Sequence, residues 1–258
     1  MPPFHYSWEE IVIYRRNLCV IATLLLSCVP LVSGQESHSW GYSGATGPKH
    51  WSELSATCGV GKTQSPIDIL RAEKKQLPAI QFAYHPSPLK IINNGHTIEV
   101  EYAPGSSIMV GGKTYELIQF HFHHLSETEI NDQRSPMELH LVHKDKDGNL
   151  AVVAVLLHEG VPNPVVGTLW SHMPNKKGQE IALPDVEVDA AQLIPADHRY
   201  YTFTGSLTTP PCTENVTWIV LEAPMTVTKQ QIAKFAAIYP DNERPVQPLN
   251  GRTVLESE

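Results

Sequence analysis

Gln119-Phe-His-Phe-His-His124 and Met137-Glu-Leu-His-Leu-Val-His143 are the two stretches on which the reading of this chain turns. Both alternate apolar and polar residues, the pattern of a strand with differing faces. Successive side chains of a strand point to opposite sides. His121 and His123 therefore share one face, and Glu138, His140 and Val142 share one face of the second strand, leaving His143 on the other. If the strands are neighbours, His121, His123 and His140 converge. Three imidazole nitrogens with a fourth position open are the ligand set of a catalytic zinc rather than a structural one. A lone strand histidine is usually a satisfied polar group. A His-X-His pair followed by a third histidine 17 residues on calls for a further reason. Metal-bound histidines hand their other ring nitrogen to an oxygen acceptor, and Glu138 and Gln119 are placed to serve His140 and His121.

Outward from this pair, short strand-like runs dominate: Ile80–Tyr84, His96–Tyr102, Tyr115–His123, Met137–His143, Leu150–His158 and Val216–Leu221. Asn94-Gly95, Pro104-Gly105, Gly111-Gly112 and Asp147-Gly148 separate them as turns. Leu150-Ala-Val-Val-Ala-Val-Leu-Leu157 is unbroken and apolar, as expected of a strand covered on both faces. Helical pattern is sparse. Thr228 to Ile238 has an N-cap threonine and apolar residues at helical spacing, with Pro240 just beyond, and a shorter helix is expected over Val165 to His172. Ser39 to Trp51 reads as an extended arm tied down by aromatic packing. The fold class is mainly β: one domain on a large, mostly antiparallel, twisted central sheet with short peripheral helices.

Residues 1–34 read as a secretory signal, with Arg15 and Arg16 before the apolar run from Leu18 and small residues at Val32-Ser-Gly34. The run is short for a membrane span of about 20 residues, so no span is expected in the mature chain, 35–258. The alternative is a tether through an uncleaved or lipidated N-terminus. Export to a periplasm or the exterior follows from the signal. The leading segment's two arginines and two glutamates cancel, and the net charge stays at −8. With no basic cluster, nucleic-acid partners are excluded. Of four cysteines, Cys58 and Cys212 remain after the signal, an even pair in an exported chain. A disulfide is favoured over two buried thiols. It would close a loop worth about 5 kcal/mol at most in the chain-entropy model.

Gly205-Ser-Leu-Thr-Thr-Pro-Pro-Cys212 is a proline-stiffened loop that fixes two hydroxyls ahead of the apolar run Val216-Thr-Trp-Ile-Val-Leu221. Together with Trp40-Gly-Tyr42, Gln64-Ser-Pro-Ile-Asp68, Asn94-Gly-His96, the two histidine stretches and Arg244-Pro-Val-Gln-Pro248, it completes a series matched in order and spacing. Residues 38 to 252 resemble an α-class carbonic anhydrase. The compact Leu125-Ser-Glu-Thr-Glu-Ile-Asn-Asp132 resembles bacterial-type members.

The resemblance implies reversible hydration of carbon dioxide to bicarbonate by attack of zinc hydroxide. It implies His121, His123 and His140 as Zn2+ ligands, with Thr208 accepting the hydroxide's hydrogen bond and Glu127 accepting that of Thr208. Thr209 would line the substrate site, Val142, Val152, Leu207 and Trp218 would form the apolar wall, and His96 would shuttle the proton. Gln119, Glu138 and the backbone of Asn242 would support the ligands, and Cys58 and Cys212 fit the disulfide of exported members. The partner would be the small substrate alone, in a monomer or homodimer. Other readings are a silent binding module, which usually lacks a ligand histidine, and an ester hydrolase.

Three residues depart from the family pattern or carry a separate motif. His124 stands where many members have tryptophan. Glu99 replaces an uncharged residue and, on the side of His96, is expected to raise the pKa of that imidazole. Asn215-Val-Thr217 formally matches a glycosylation acceptor, but its place at the start of a core strand argues against modification.

Overall fold

The computed structural model describes residues 39–258, so the signal segment lies outside the described residues. Thirteen strands form one mixed sheet. Ten of them, in chain order, are β1 (Glu73–Lys75), β2 (Ser87–Asn93), β3 (Ile98–Glu101), β4 (Lys113–His123), β5 (Met137–Lys144), β6 (Leu150–Glu159), β7 (Glu180–Val188), β8 (Tyr200–Ser206), β9 (Glu214–Leu221) and β10 (Leu255–Ser257). Their spatial order is β7-β2-β3-β4-β5-β6-β9-β8-β10-β1. Pairing is antiparallel from β7 to β6, becomes parallel between β6 and β9, and is parallel again between β10 and β1. The sheet is mostly antiparallel, as expected, with parallel joins where the chain crosses over.

The apolar run of β6 is buried from Ala151 to Leu157, between β5 and β9. Its alternate residues feed two cores. Val153 and Val155 join Phe120, Phe122, Leu139, Leu141 and Ile219 in the larger cluster, whereas Val152 and Ala154 join Val216, Trp218, Val220 and Phe203 in a smaller one. The larger cluster is roofed by two helices, α1 (Pro164–Ser171) and α2 (Lys229–Ala236). Asn163 caps α1 by accepting from Val166 N at 3.1 Å. Thr228 and Gln231 form a reciprocal capping box on α2. Trp170 of α1 meets Phe122 at 4.9 Å and Phe235 of α2 at 5.5 Å. This joins the roof to the far side of the first histidine strand.

Five of these ten strands, β1, β2, β7, β8 and β10, were not legible in the sequence pattern. The N-terminal arm folds into two short 3-10 turns, Gly44–Thr46 and Pro48–His50, rather than running extended. Aromatic packing does tie it down, since Trp40 and Tyr42 pack edge-on against Trp51. Trp51, fully buried, donates its Nε1–H to Gly41 O at 3.0 Å. Cys58 and Cys212 form a disulfide. Asn215 is exposed, with φ 66°, beside a register shift in the β8–β9 pair, and is not a core position. Among the described residues no helix is long and apolar enough to cross a membrane.

Candidate metal centre

Register places the histidines. In the β4–β5 pair, His121 faces His140, His123 faces Glu138 and Gln119 faces Val142. One ring nitrogen from each of His121, His123 and His140 lies within 4.8 Å of the others, so the trio can hold a metal ion. The second ring nitrogen of each side chain has an acceptor on its outer side. His121 Nδ1 donates to Gln119 Oε1 at 2.8 Å, and His123 Nδ1 donates to the Asn242 carbonyl at 2.8 Å. His140 Nε2 lies 3.1 Å from Glu138 Oε1, though off the line of a good hydrogen bond. A carbonyl or carboxylate can only accept, so these contacts put the proton on the outer nitrogen and a lone pair on the inner one. The inward atoms are thus Nε2 of His121, Nε2 of His123 and Nδ1 of His140.

Whether the set suits a cation is decided by an orphan. His123 Nε2 is buried and has no hydrogen-bond partner, an arrangement that costs about 1–3 kcal/mol unless something accepts its lone pair. Burial, then the neighbouring histidines, hold His121 well below the ordinary imidazole pKa, and burial lowers His123. Neutral imidazole is the form that binds metal. The donor set fits a divalent ion that prefers nitrogen in a four-coordinate site.

Glu138 and Glu127 are both fully buried and differ in state. Glu138 accepts from Glu127 N (2.7 Å), Thr128 N (2.8 Å) and the Thr128 hydroxyl (2.8 Å). Burial raises its pKa, but His140 and the Thr128 donors reverse the effect and leave it below the usual value. It is a fixed negative charge behind His140. Glu127 accepts from Arg244 N at 2.7 Å through Oε1, and its Oε2 lies 3.6 Å from His123 Nε2. Burial pushes its carboxyl up to about 7, against the opposing pull of His140, the Thr208 hydroxyl and the Arg244 N–H.

The smaller core supplies an apolar wall beside this cluster. Trp218, buried, presents its edge to His140 at 5.0 Å, donates Nε1–H to Ser206 O, and faces Val152 across the β6–β9 pair. Val142 and Leu207, partly buried, pack against the same cluster. Gly205 is required here, because a Cβ would lie 2.6 Å from Trp218 Cδ1.

A cavity of about 110 Å³ is lined by Trp40, Tyr42, His96, Glu99, His121 and Thr209, among others. His96 is stacked on Trp40 with ring centroids 3.6 Å apart and planes 8° apart. Its pKa is lowered, by burial and then by the charge of Lys177. The expected upward pull from Glu99 is not what the structure shows: that carboxylate instead accepts from Asn94 Nδ2 at 3.3 Å.

Some site residues carried no assigned role in the sequence. Arg244 is the clearest: buried, it donates to Gln64 Oε1 (2.9 Å), Ser65 O (2.8 Å) and Cys58 O (3.1 Å). Thr128 anchors Glu138, Trp40 stacks on His96, and Lys177 lies beside it. Arg244 and Trp40 fall inside the motif segments, which was the available signal; Lys177 gave none.

Known proteins agree with this geometry. The family model described as eukaryotic-type carbonic anhydrase matches residues 46–258. A carbonic anhydrase of Nostoc sp. is 43% identical over 95% of this chain and 98% of its own. One from Neisseria gonorrhoeae is 43% identical over 91% and 95%. Among solved structures, the α-carbonic anhydrase of Thermovibrio ammonificans, in complex with the inhibitor sulfanilamide, superposes with a TM-score of 0.82. It is 43% identical, over 84% of this chain and 98% of its own. Matches of this extent leave one placement for a chain with this sheet and this histidine cluster: it is an enzyme of the alpha, or eukaryotic-type, carbonic anhydrase family.

Proposed function

We propose that the chain carries out the reversible hydration of carbon dioxide to bicarbonate and a proton, with zinc held by Nε2 of His121, Nε2 of His123 and Nδ1 of His140. The observation that carries this reading is the convergence of three inward lone pairs, one of them on a buried nitrogen with no other partner. Zinc bound there would act as a Lewis acid and lower the pKa of its water to about 7.

The chain's own residues supply the rest. Carbon dioxide is small, apolar and uncharged, so its receptor is the wall of Val142, Val152, Leu207 and Trp218, which also keeps bulk water away. Thr208, with its hydroxyl proton directed to Glu127, turns an oxygen lone pair toward the open position. It accepts from a donor there and disfavours ligands that cannot donate. Thr209 lines the cavity on the same loop. Gln119, Glu138 and the Asn242 carbonyl hold the three rings in orientation and tautomer.

His96 takes the released proton outward. An imidazole titrates near neutral pH, and its stacking place on Trp40 at the cavity lining brings it close to solvent. The disulfide suits an oxidising compartment, which supports export to a periplasm or the exterior.

The test is carbon dioxide hydration followed by stopped flow in protein treated with dipicolinate, dialysed and reloaded with zinc. Activity should vanish with the metal and return in proportion to zinc bound, up to one per chain. Full activity in metal-free protein overturns the proposal.

A further inference from the structure

The turn that carries His96 is joined to the loop at 174–179. Asn93 N donates to Gln179 O (3.0 Å), Gly178 N to Asn93 O (2.7 Å) and Asn93 Nδ2 to Pro174 O (3.2 Å). Lys177 sits on that loop with its stem across Gly95. A Cβ at Gly95 would lie 2.5 Å from Lys177 Cε, 2.7 Å from Cδ and 2.8 Å from Cγ. Gly95 also has φ +90°, so its missing side chain and its backbone angle both make room for the lysine.

Lys177 is thereby placed beside His96. It is exposed, and the lysine ion pairs among the described residues involve Lys74, Lys90 and Lys146 instead. Its charge is therefore available to a solute. The influence on His96 is visible in the lowered pKa of that imidazole, for which burial is the first cause and Lys177 the second. Lys177 lies outside the cavity lining, whose acidic side chain is Glu99, tied to Asn94. The carboxylate repels anions, so beside His96 an anionic solute is favoured on the lysine side rather than on the Glu99 side. A chain of net charge −8 disfavours anions over much of its surface, which gives a cation at this point unusual weight.

We propose that Lys177 makes the rim of the cavity a docking point for anionic proton carriers, oxyanions of the hydrogen-phosphate class, which collect the proton from His96. This rests on the reading of His96 as the proton exit. In the step, the imidazolium N–H bond breaks with its electron pair left on nitrogen, and an O–H bond forms on the oxyanion. Hydrogen phosphate becomes dihydrogen phosphate, and His96 returns to neutral.

The test compares buffers. Initial rates of carbon dioxide hydration by the zinc-loaded enzyme are measured at fixed pH and ionic strength, with increasing hydrogen phosphate or 1,2-dimethylimidazole. Lys177→Met should raise the phosphate concentration for half-maximal kcat about threefold or more, as expected for loss of a rim charge that guides association. The dimethylimidazole requirement should stay within the error of the wild type. The loss should fall on kcat in dilute phosphate rather than on kcat/KM. Lys177→Arg should restore the phosphate response, and Lys176→Met, on the exposed neighbour, should behave as wild type.

An equal rise with both buffers, or none with phosphate, overturns the proposal. A second arm needs no turnover. The His96 imidazole C–H resonances, assigned with His96→Gln, should shift saturably as phosphate is added to wild-type protein, and this response should be lost in Lys177→Met. If the wild type does not hydrate carbon dioxide, the functional reading fails, while this titration still decides whether the rim takes phosphate. A flat titration in the wild type refutes the docking point outright.

Discussion

On β5, His140 and His143 are both buried and only three residues apart, yet their surroundings differ in kind. His140 looks across at His121 and His123, with Glu138 behind it and the edge of Trp218 beside it. His143, beyond a register shift in the β4–β5 pairing, turns to the larger core. There its Nε2 meets the Tyr84 hydroxyl at 2.8 Å and its Nδ1 has no partner. Burial drives the His143 pKa down to about 3. Both environments keep an imidazole neutral. Only one gathers further nitrogens and a carboxylate around it, so it is company, not burial, that makes a ligand.

His140→Ala should break this contrast most completely. It removes an inward nitrogen, and the expected outcome is loss of stoichiometric zinc by elemental analysis together with hydration activity at the uncatalysed background. Retained activity would remove His140 from the centre.

Phe122→Ala attacks the opposite face of β4, under Trp170 and Phe235. It should cost about 3–5 kcal/mol of stability, roughly 6–20 °C in Tm for a domain of this size. Protein that remains folded should still bind one zinc, which separates the packing face from the metal face.

Glu138→Gln keeps the shape and removes the charge behind His140. Zinc affinity, measured by competition with a chelator, should weaken about 10- to 100-fold. An unchanged affinity would make Glu138 a structural acceptor for Thr128 only.

His143 sharpens the comparison through pH. Its folded pKa is depressed below the unfolded value near 6.5, so its contribution to stability is complete above that value. The contribution is lost as pH falls from 6.5 toward 3, because the unfolded chain takes up the proton first. The slope reaches about 1.4 kcal/mol per pH unit. Denaturant unfolding at pH 7 and pH 5 should therefore show a smaller acid loss in His143→Gln than in wild type, by roughly 2 kcal/mol. Equal losses would mean that the imidazole is not held neutral.

The parts legible in the sequence were those governed by a short period. Alternation put His121, His123 and His140 on facing sides, and the helix at Lys229–Ala236 was announced by Thr228 and its spacing. β7 was hidden because it is an edge strand interrupted by Pro184 and only partly buried. β2 includes Pro88, and β8 is a short mixed run ending in a glycine and a serine. The parallel join of β6 to β9 depends on a crossover that no local pattern encodes. At the site, Glu127 and Thr208 come from loops, where side chains follow no period, so their roles came only from family resemblance. Lys177 is an ordinary exposed lysine in sequence. Its placement depends on the fit of its stem over Gly95.

Arg244 has a consequence for how the molecule is made. Its guanidinium reaches back to Cys58, Gln64 and Ser65, and its N–H completes Glu127. Two residues earlier, the Asn242 carbonyl receives His123. His123 is therefore synthesised 119 residues before the carbonyl that orients it, and Glu127 117 residues before the N–H that completes it. A nascent chain halted short of Asn242 has every ligand and lacks the support of His123 and Glu127, so the centre can be finished only as synthesis nears its end.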